Sequence, residues 1–410
     1  MKTSLEDILN EVGTIIFNSL ELMDIIKILT KTCKFMESIT EFYSKILIEL
    51  YDYPWVKAHI AKSNSGNGNG FYKNILFLIR RKGAMIIGGS IDSRRCRFFS
   101  TETCSFRSID YMSKKGDTSN STAVWHKGRM FVFSCQTESV IGSLEIYNPV
   151  DASWLKDATG LPMTLKSAAA ASCQRKLYVL GGDHYCKPQW KKSDRIFYLS
   201  NEDSDNEQHY QWTEVSSKLS RGRIFHSATD YNRMIWITGG IMEKRTGDVY
   251  KDLCTRSVEI FDPTNLTITK GPDMLRARCQ STLAVIKGIL YVIGGDVHQS
   301  ERTVGTVERY CEHGGLWVNV TEFPKRREGC AICAVDSMIY VFGGYEGRTN
   351  FNDWDAYNVD TNRWLSEDDA IDSESLDPPH SRVIFPTGNC VARNSMNVLC
   401  GAVAVATFPS

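Results

Sequence analysis

Double glycines close short apolar runs five times in this chain, and no other sequence feature limits the fold so strongly. They stand at Gly88-Gly89 after AMII, Gly181-Gly182 after LYVL, Gly239-Gly240 after IWIT, Gly294-Gly295 after LYVI and Gly343-Gly344 after IYVF. The first glycines lie 93, 58, 55 and 49 residues apart. The first interval is nearly double the others, and Met130-Phe131-Val132-Phe133-Ser134-Cys135 sits near its middle as a copy that has lost its glycines. Six units of about fifty residues result, with a further degenerate copy, Val398-Leu399-Cys400-Gly401, near the C-terminus. A period of that length marks a repeat architecture.

The units share internal detail. An aromatic stands three residues before the first glycine, or before Ser134 in the degenerate copy: Phe131, Tyr178, Trp236, Tyr291 and Tyr340. After the glycines come a loop and a strand centred on an aromatic, as in Leu144-Glu145-Ile146-Tyr147, Val258-Glu259-Ile260-Phe261, Val307-Glu308-Arg309-Tyr310 and Ala356-Tyr357. A tryptophan follows in four units, at Trp154, Trp212, Trp317 and Trp364. Ahead of the glycines an alternating strand and a tight turn recur, such as Cys279 to Val285 and then Lys287-Gly288. Each unit therefore reads as four short strands. One such sheet cannot bury both faces alone, but sheets stacked radially can.

The double glycine, the aromatic strand and the spaced tryptophan resemble the kelch repeat, over residues 71–410. The resemblance implies an all-β fold, a kelch β-propeller of six blades. The tail from Val383-Ile384-Phe385 to Phe408 offers two more strands, which either close the ring over the first blade or make half of a seventh blade. Each aromatic before the glycines is expected in the core.

Residues 1–62 have a different grammar. Ile39, Phe42, Tyr43, Ile46, Leu47 and Leu50 fall on one stripe of a 3.6-residue period, as do Ile8, Val12, Ile15 and Ile16. The run Ser63 to Gly70, alternating Ser, Asn and Gly, reads as a flexible linker. Within the helical region, Ile8-Leu9-Asn10-Glu11-Val12, Ile16-Phe17-Asn18-Ser19-Leu20, Asp24-Ile25-Ile26 and Cys33-Lys34 resemble an F-box, with Leu9 where that family carries proline and about one extra residue before Cys33. The resemblance implies a Skp-type adaptor docking on Leu9, Val12, Ile16, Phe17 and Leu20, and through it a cullin-type ubiquitin ligase whose target the repeats would capture.

Composition narrows the remaining classes. With 48 basic and 48 acidic residues there is no basic excess of the kind that coats a duplex, so nucleic acid is not an expected partner. No run of 18 apolar residues is present, so no spanning helix is expected, and the acidic start gives no sign of a secretory signal. The thirteen cysteines, an odd number without framework spacing, read as reduced thiols of a cytoplasmic or nuclear protein. Cys330 and Cys333, at i and i+3 of a strand, point to opposite faces, and the pair His184 and Cys186 is too few for a metal site. No hydrolase or nucleotide-binding motif occurs, so a propeller enzyme is a distant third reading, and neither cofactor nor metal is expected.

One constellation suggests binding. An arginine stands sixteen residues before the first glycine in three successive units, Arg223, Arg278 and Arg327, each preceded within two residues by another, Arg221, Arg276 and Arg326. They fall where the chain leads into the first strand of a unit, on the same end as the loops after the glycines, one of which carries Arg348. Guanidinium groups so arrayed suit carboxylates or phosphates, hence an acidic or phosphorylated target segment. The alternative is that the periodic arginine holds neighbouring units together. The leading functional expectation is a substrate-recognition subunit of a ubiquitin ligase. The second is a kelch scaffold or cytoskeletal-type binding protein without a ligase link.

Overall fold

The computed structural model describes residues 83–366, outside several connecting loops, and the strand Val403–Val405. The helical readings within residues 1–62, including the F-box-like positions, and the linker at 63–70 lie outside the described residues. Every regular element within those described is a strand.

The second strand of each unit is the one that ends at the glycines: Gly83–Ile87, Arg129–Cys135, Lys176–Leu180, Met234–Thr238, Ile289–Ile293 and Met338–Phe342. Its outer neighbours are the aromatic-centred third strand, for example Val258–Asp262, and a fourth, for example Leu316–Glu322. On the other side pairs the first strand: Asp117–His126, Ala169–Cys173, Ser227–Tyr231, Thr282–Ile286 and Ala331–Val335. Sheets two to six thus run in sequence order from first to fourth strand, antiparallel throughout. Sheet one differs. Its first strand is Val403–Val405, which pairs antiparallel with Gly83–Ile87. Six four-stranded sheets are formed among the described residues.

Turn chemistry fixes the first hairpin of sheets three, four and five. Gln174-Arg175, Asn232-Arg233 and Lys287-Gly288 all have positive φ at both positions, the two-residue turn whose twist matches the flanking strands.

The second strands read as unbroken apolar runs because both their faces are covered. Alternate side chains go to opposite neighbours. In sheet three, Leu177 and Val179 pack with Phe131 and Phe133 of sheet two, while Tyr178 and Leu180 pack with Ile235, Ile237 and Phe261 of sheet four. Trp236 of sheet four meets Val292 and Trp317 of sheet five, and Tyr291 and Ile293 of sheet five meet Ile339, Val341 and Tyr357 of sheet six. Tyr340, Phe342 and Trp354 of sheet six enclose Phe99 of sheet one, whose Met85 packs on Met130 and Val132 of sheet two. The succession of cores therefore returns to its start, which is the arrangement expected of a kelch-type propeller. All five aromatics that precede the glycines are buried, as the repeat phase predicts.

A second set of links joins the turns at one end. Gln174, between the first two strands of sheet three, donates to the Arg233 carbonyl (2.9 Å) and to Thr264 Oγ1 (3.1 Å) of sheet four. Tyr231 and Asn232 of sheet four donate to Glu312 of sheet five at 2.5 and 2.7 Å. Lys287 of sheet five reaches Asp360 of sheet six at 2.6 Å.

Candidate functional site: the hairpin face

The opposite end of the sheets carries the segments after the glycines. Two of these form long hairpins, Asp183–Cys186 with Gln189–Lys192 and Ile241–Thr246 with Val249–Cys254, and a shorter one joins Tyr345–Glu346 to Thr349–Asn350. The lead-in segments lie beside them. Arg223–Ile224 pairs with Ile241 and Met242, Lys166 bridges Asp183, and Cys279 bridges Asp296.

Arg223 and Arg278, expected from the sequence to bind a partner, are instead both 0% exposed and turned into the fold. The Arg278 guanidinium donates to the carbonyls of Gly294 (2.6 Å) and Thr306 (3.1 Å), to Thr306 Oγ1 (3.0 Å) and to Glu308. Arg223 donates to the Gly239 carbonyl (3.3 Å) and to Glu259. Each glutamate also accepts from the lead-in segment itself, Glu259 from Ser220 N–H (2.9 Å) and Oγ (2.7 Å), and Glu308 from Leu275 N–H (2.9 Å). Burial lowers the pKa of both arginines, while the adjacent carboxylates oppose that shift. A charge pair so enclosed, with further hydrogen bonds to both partners, holds a lead-in segment in one register.

The backbone of the same arginines reaches the preceding sheet. Gly182 N–H donates to the Arg223 carbonyl (2.9 Å), and Gly240 N–H to the Arg278 carbonyl (2.8 Å). Gly181, Gly239, Gly294 and Gly343 have φ near +60°, and a Cβ on Gly239 would lie 2.3 Å from the Arg278 oxygen. The glycines of sheets three and four are thus required by the next unit's arginine, and Arg223 and Arg278 each bond the glycine of their own unit. Two residues further on, Ser167, Phe225 and Gln280 are left-handed and linked in series, Phe225 N–H to the Ser167 carbonyl (3.0 Å) and Gln280 N–H to the Phe225 carbonyl (2.8 Å).

The partner of the buried arginine also recurs at one phase of the repeat. An acid stands two residues before the third-strand aromatic at Glu145, Glu259, Glu308 and Asp355, and all four are buried.

The preceding arginines remain at the surface. Arg221 is exposed and donates to the Glu243 carbonyl (3.3 Å); Arg276 is exposed, with Glu322 at 3.9 Å. Arg326, Arg327 and Arg348 lie outside the described residues. Other cations of this end are engaged: Lys192 pairs with Asp252 (2.8 Å) and Glu243 (3.8 Å), tying the hairpin of sheet three to that of sheet four. Lys325 pairs with Asp353, and Lys166 Nζ lies 4.0 Å above the Trp190 ring, itself 5.4 Å from Tyr185 across the hairpin. Burial pushes the Asp183 carboxyl up, against the pull of Lys192 and Lys166. Cys333 is buried, Cys330 partly so, and no cluster of three or more potential metal ligands occurs among the described residues.

A family profile for the kelch motif matches residues 277–324 and 326–367. The chain carries kelch motifs. The first matched motif begins one residue before Arg278 and ends beyond the fourth strand of sheet five, so it contains the whole arginine, glycine and glutamate assembly of that sheet. The curated relatives are distant. Alpha-scruin of Limulus polyphemus is 24% identical over 212 residues, half of this chain and 22% of the relative. Human Kelch-like protein 23 is 22% identical over 225 residues, 55% of this chain and 36% of the relative. Human Kelch repeat and BTB domain-containing protein 3 is 27% identical over 214 residues, half of this chain and 31% of the relative. The chain thus spans about a fifth to a third of the length of these curated relatives.

Proposed function

We propose that this chain is a non-catalytic, substrate-recognition subunit of a cullin-type ubiquitin ligase. Its kelch sheets form a six-bladed propeller that holds a target protein, and the F-box-like residues Leu9, Val12, Ile16, Phe17 and Leu20 take a Skp-type adaptor. The observation that carries the binding role is the hairpin face: exposed Arg221 and Arg276 stand on lead-in segments that buried Arg223–Glu259 and Arg278–Glu308 pairs hold in place. Preorganised guanidinium groups bind carboxylate or phosphate without first being ordered. An acidic or phosphorylated target segment fits that chemistry. The six-blade reading is supported by the inter-sheet cores that return to sheet one and by the closing strand Val403–Val405. The kelch names of the relatives support a binding role; the ligase role rests on the F-box-like residues.

Two measurements test the reading. Mixing the purified chain with a Skp-type adaptor at micromolar concentration is expected to give a complex; its absence leaves the kelch scaffold without a ligase link. Replacing Arg221, Arg276 and Arg326 together with Ala is expected to keep thermal stability and abolish target capture. Unchanged capture by a stable triple variant would exclude this face.

A further inference from the structure

Among the described cysteines, two meet at the junction between sheets four and five. Cys254 ends the second arm of the sheet-four hairpin, and Cys279 begins the bridge that leads into sheet five. Their segments are joined through the backbone, Arg278 N–H donating to the Thr255 carbonyl at 3.2 Å. Both approach one oxygen, the carbonyl of Asp296: Cys279 through its N–H at 2.9 Å and Cys254 through its sulfur at 3.7 Å. Both side chains belong to the same small apolar cluster, with Ile224 and Ile241. Neither is held in a disulfide; Cys279 is buried, and Cys254 is partly open to solvent. The preceding junction repeats the backbone contact, Arg223 N–H to the Ser193 carbonyl at 3.3 Å, but carries Lys192 and Ile224 at the two corresponding positions. The cysteine pair is therefore a property of this junction and not of the repeat.

We propose that Cys254 and Cys279 form a reversible disulfide when the chain meets a peroxide. Hydrogen-bonded segments, a shared carbonyl and a shared cluster make the two side chains neighbours, the first condition of a disulfide. The partly open Cys254 reacts first: its sulfur attacks a peroxide oxygen, the O–O bond breaks, and water leaves as a sulfenic acid forms. The Cys279 sulfur then attacks Cys254 Sγ, the S–O bond breaks, and a second water departs as the S–S bond forms. Two thiols lose two electrons and two protons, and one hydrogen peroxide becomes two waters. The bond fastens the hairpin that carries Glu243 and Lys251 to the lead-in that carries Arg276, so oxidation stiffens the hairpin face at this junction.

The test uses the full chain. It is treated with a few equivalents of hydrogen peroxide, alkylated and digested with trypsin without reduction. The expected product is a cross-link between the peptides Asp252–Arg256 and Cys279–Lys287, removed by dithiothreitol, together with a higher Tm for the oxidised chain. A Cys254→Ser chain is expected to lose both the cross-link and the Tm change. Recovery of the two peptides separately, alkylated or carrying sulfinic acid, or linkage of Cys254 to exposed Cys186 in place of Cys279, would overturn the proposal.

Discussion

Arg278 donates to the carbonyl of Gly294, sixteen residues ahead of it in the chain, at 2.6 Å. That distance in sequence is one lead-in, one hairpin and a strand end, and it is the same for Arg223 and Gly239. The arginine period is the period of a buried bond. Replacing Arg278 with Met leaves Glu308 buried without its charge partner and is expected to cost about 3–5 kcal/mol. Adding Glu308→Leu to Arg278→Met is expected to restore much of that loss. Urea denaturation of the two variants measures both.

Gly239 and Gly288 separate two reasons for glycine. Both have positive φ, +66° and +73°, but a Cβ on Gly239 meets the Arg278 oxygen while one on Gly288 meets nothing within 4 Å. Gly288→Ala is expected to cost about 1–2 kcal/mol, the left-handed penalty alone. Gly239→Ala is expected to cost clearly more, since the next sheet's lead-in must move as well. Thermal denaturation of the pair gives the difference.

His226 makes stability fall in acid. Burial, with the positive Arg223 beside it, lowers its pKa from 6.5 to about 3, so the folded chain holds it neutral. Its contribution is complete above about pH 6.5 and is lost as pH falls from there towards 3. Asp183 and Asp230, whose carboxyls burial raises, titrate with the opposite sign. A His226→Gln chain is therefore expected to lose less stability between pH 7.5 and 4.5 than the native one, as read from urea midpoints.

A chain that stops before Val403 is expected to unfold at lower temperature and to self-associate. It lacks the strand that pairs with Gly83–Ile87, and the exposed edge of that strand then offers free backbone groups to another chain. Scattering during a thermal ramp detects this.

The strands were readable because their signals are local. An apolar run between turns, an aromatic in fixed phase and a two-residue turn with positive φ each arise within a few residues. The role of Arg223 and Arg278 was not, because charge and position alone do not say which way a side chain goes. Surface arrays and buried pairs both repeat at one phase. The deciding residues, Glu259 and Glu308, lie 36 and 30 residues downstream and look like ordinary polar positions on an alternating strand. The exposed Arg221 and Arg276 show the rule that separates the two: the arginine at sixteen before the glycine turns inward, and its neighbour two residues earlier stays out. The cysteine pair was equally hidden, since 25 residues separate Cys254 from Cys279 and only the neighbouring sheet brings them together.

The pairing of Ala84 with Val405 sets an order for folding during synthesis. Sheets two to six draw their strands from neighbouring stretches and can form soon after those stretches emerge from the ribosome. Sheet one cannot: the edge of Gly83–Ile87 stays open until a strand more than three hundred residues later has been made. Closing it is the most non-local contact in the described unit, and such contacts form slowly. The nascent chain therefore carries an unpaired apolar edge at residues 83–87 until residues 403–405 have been made.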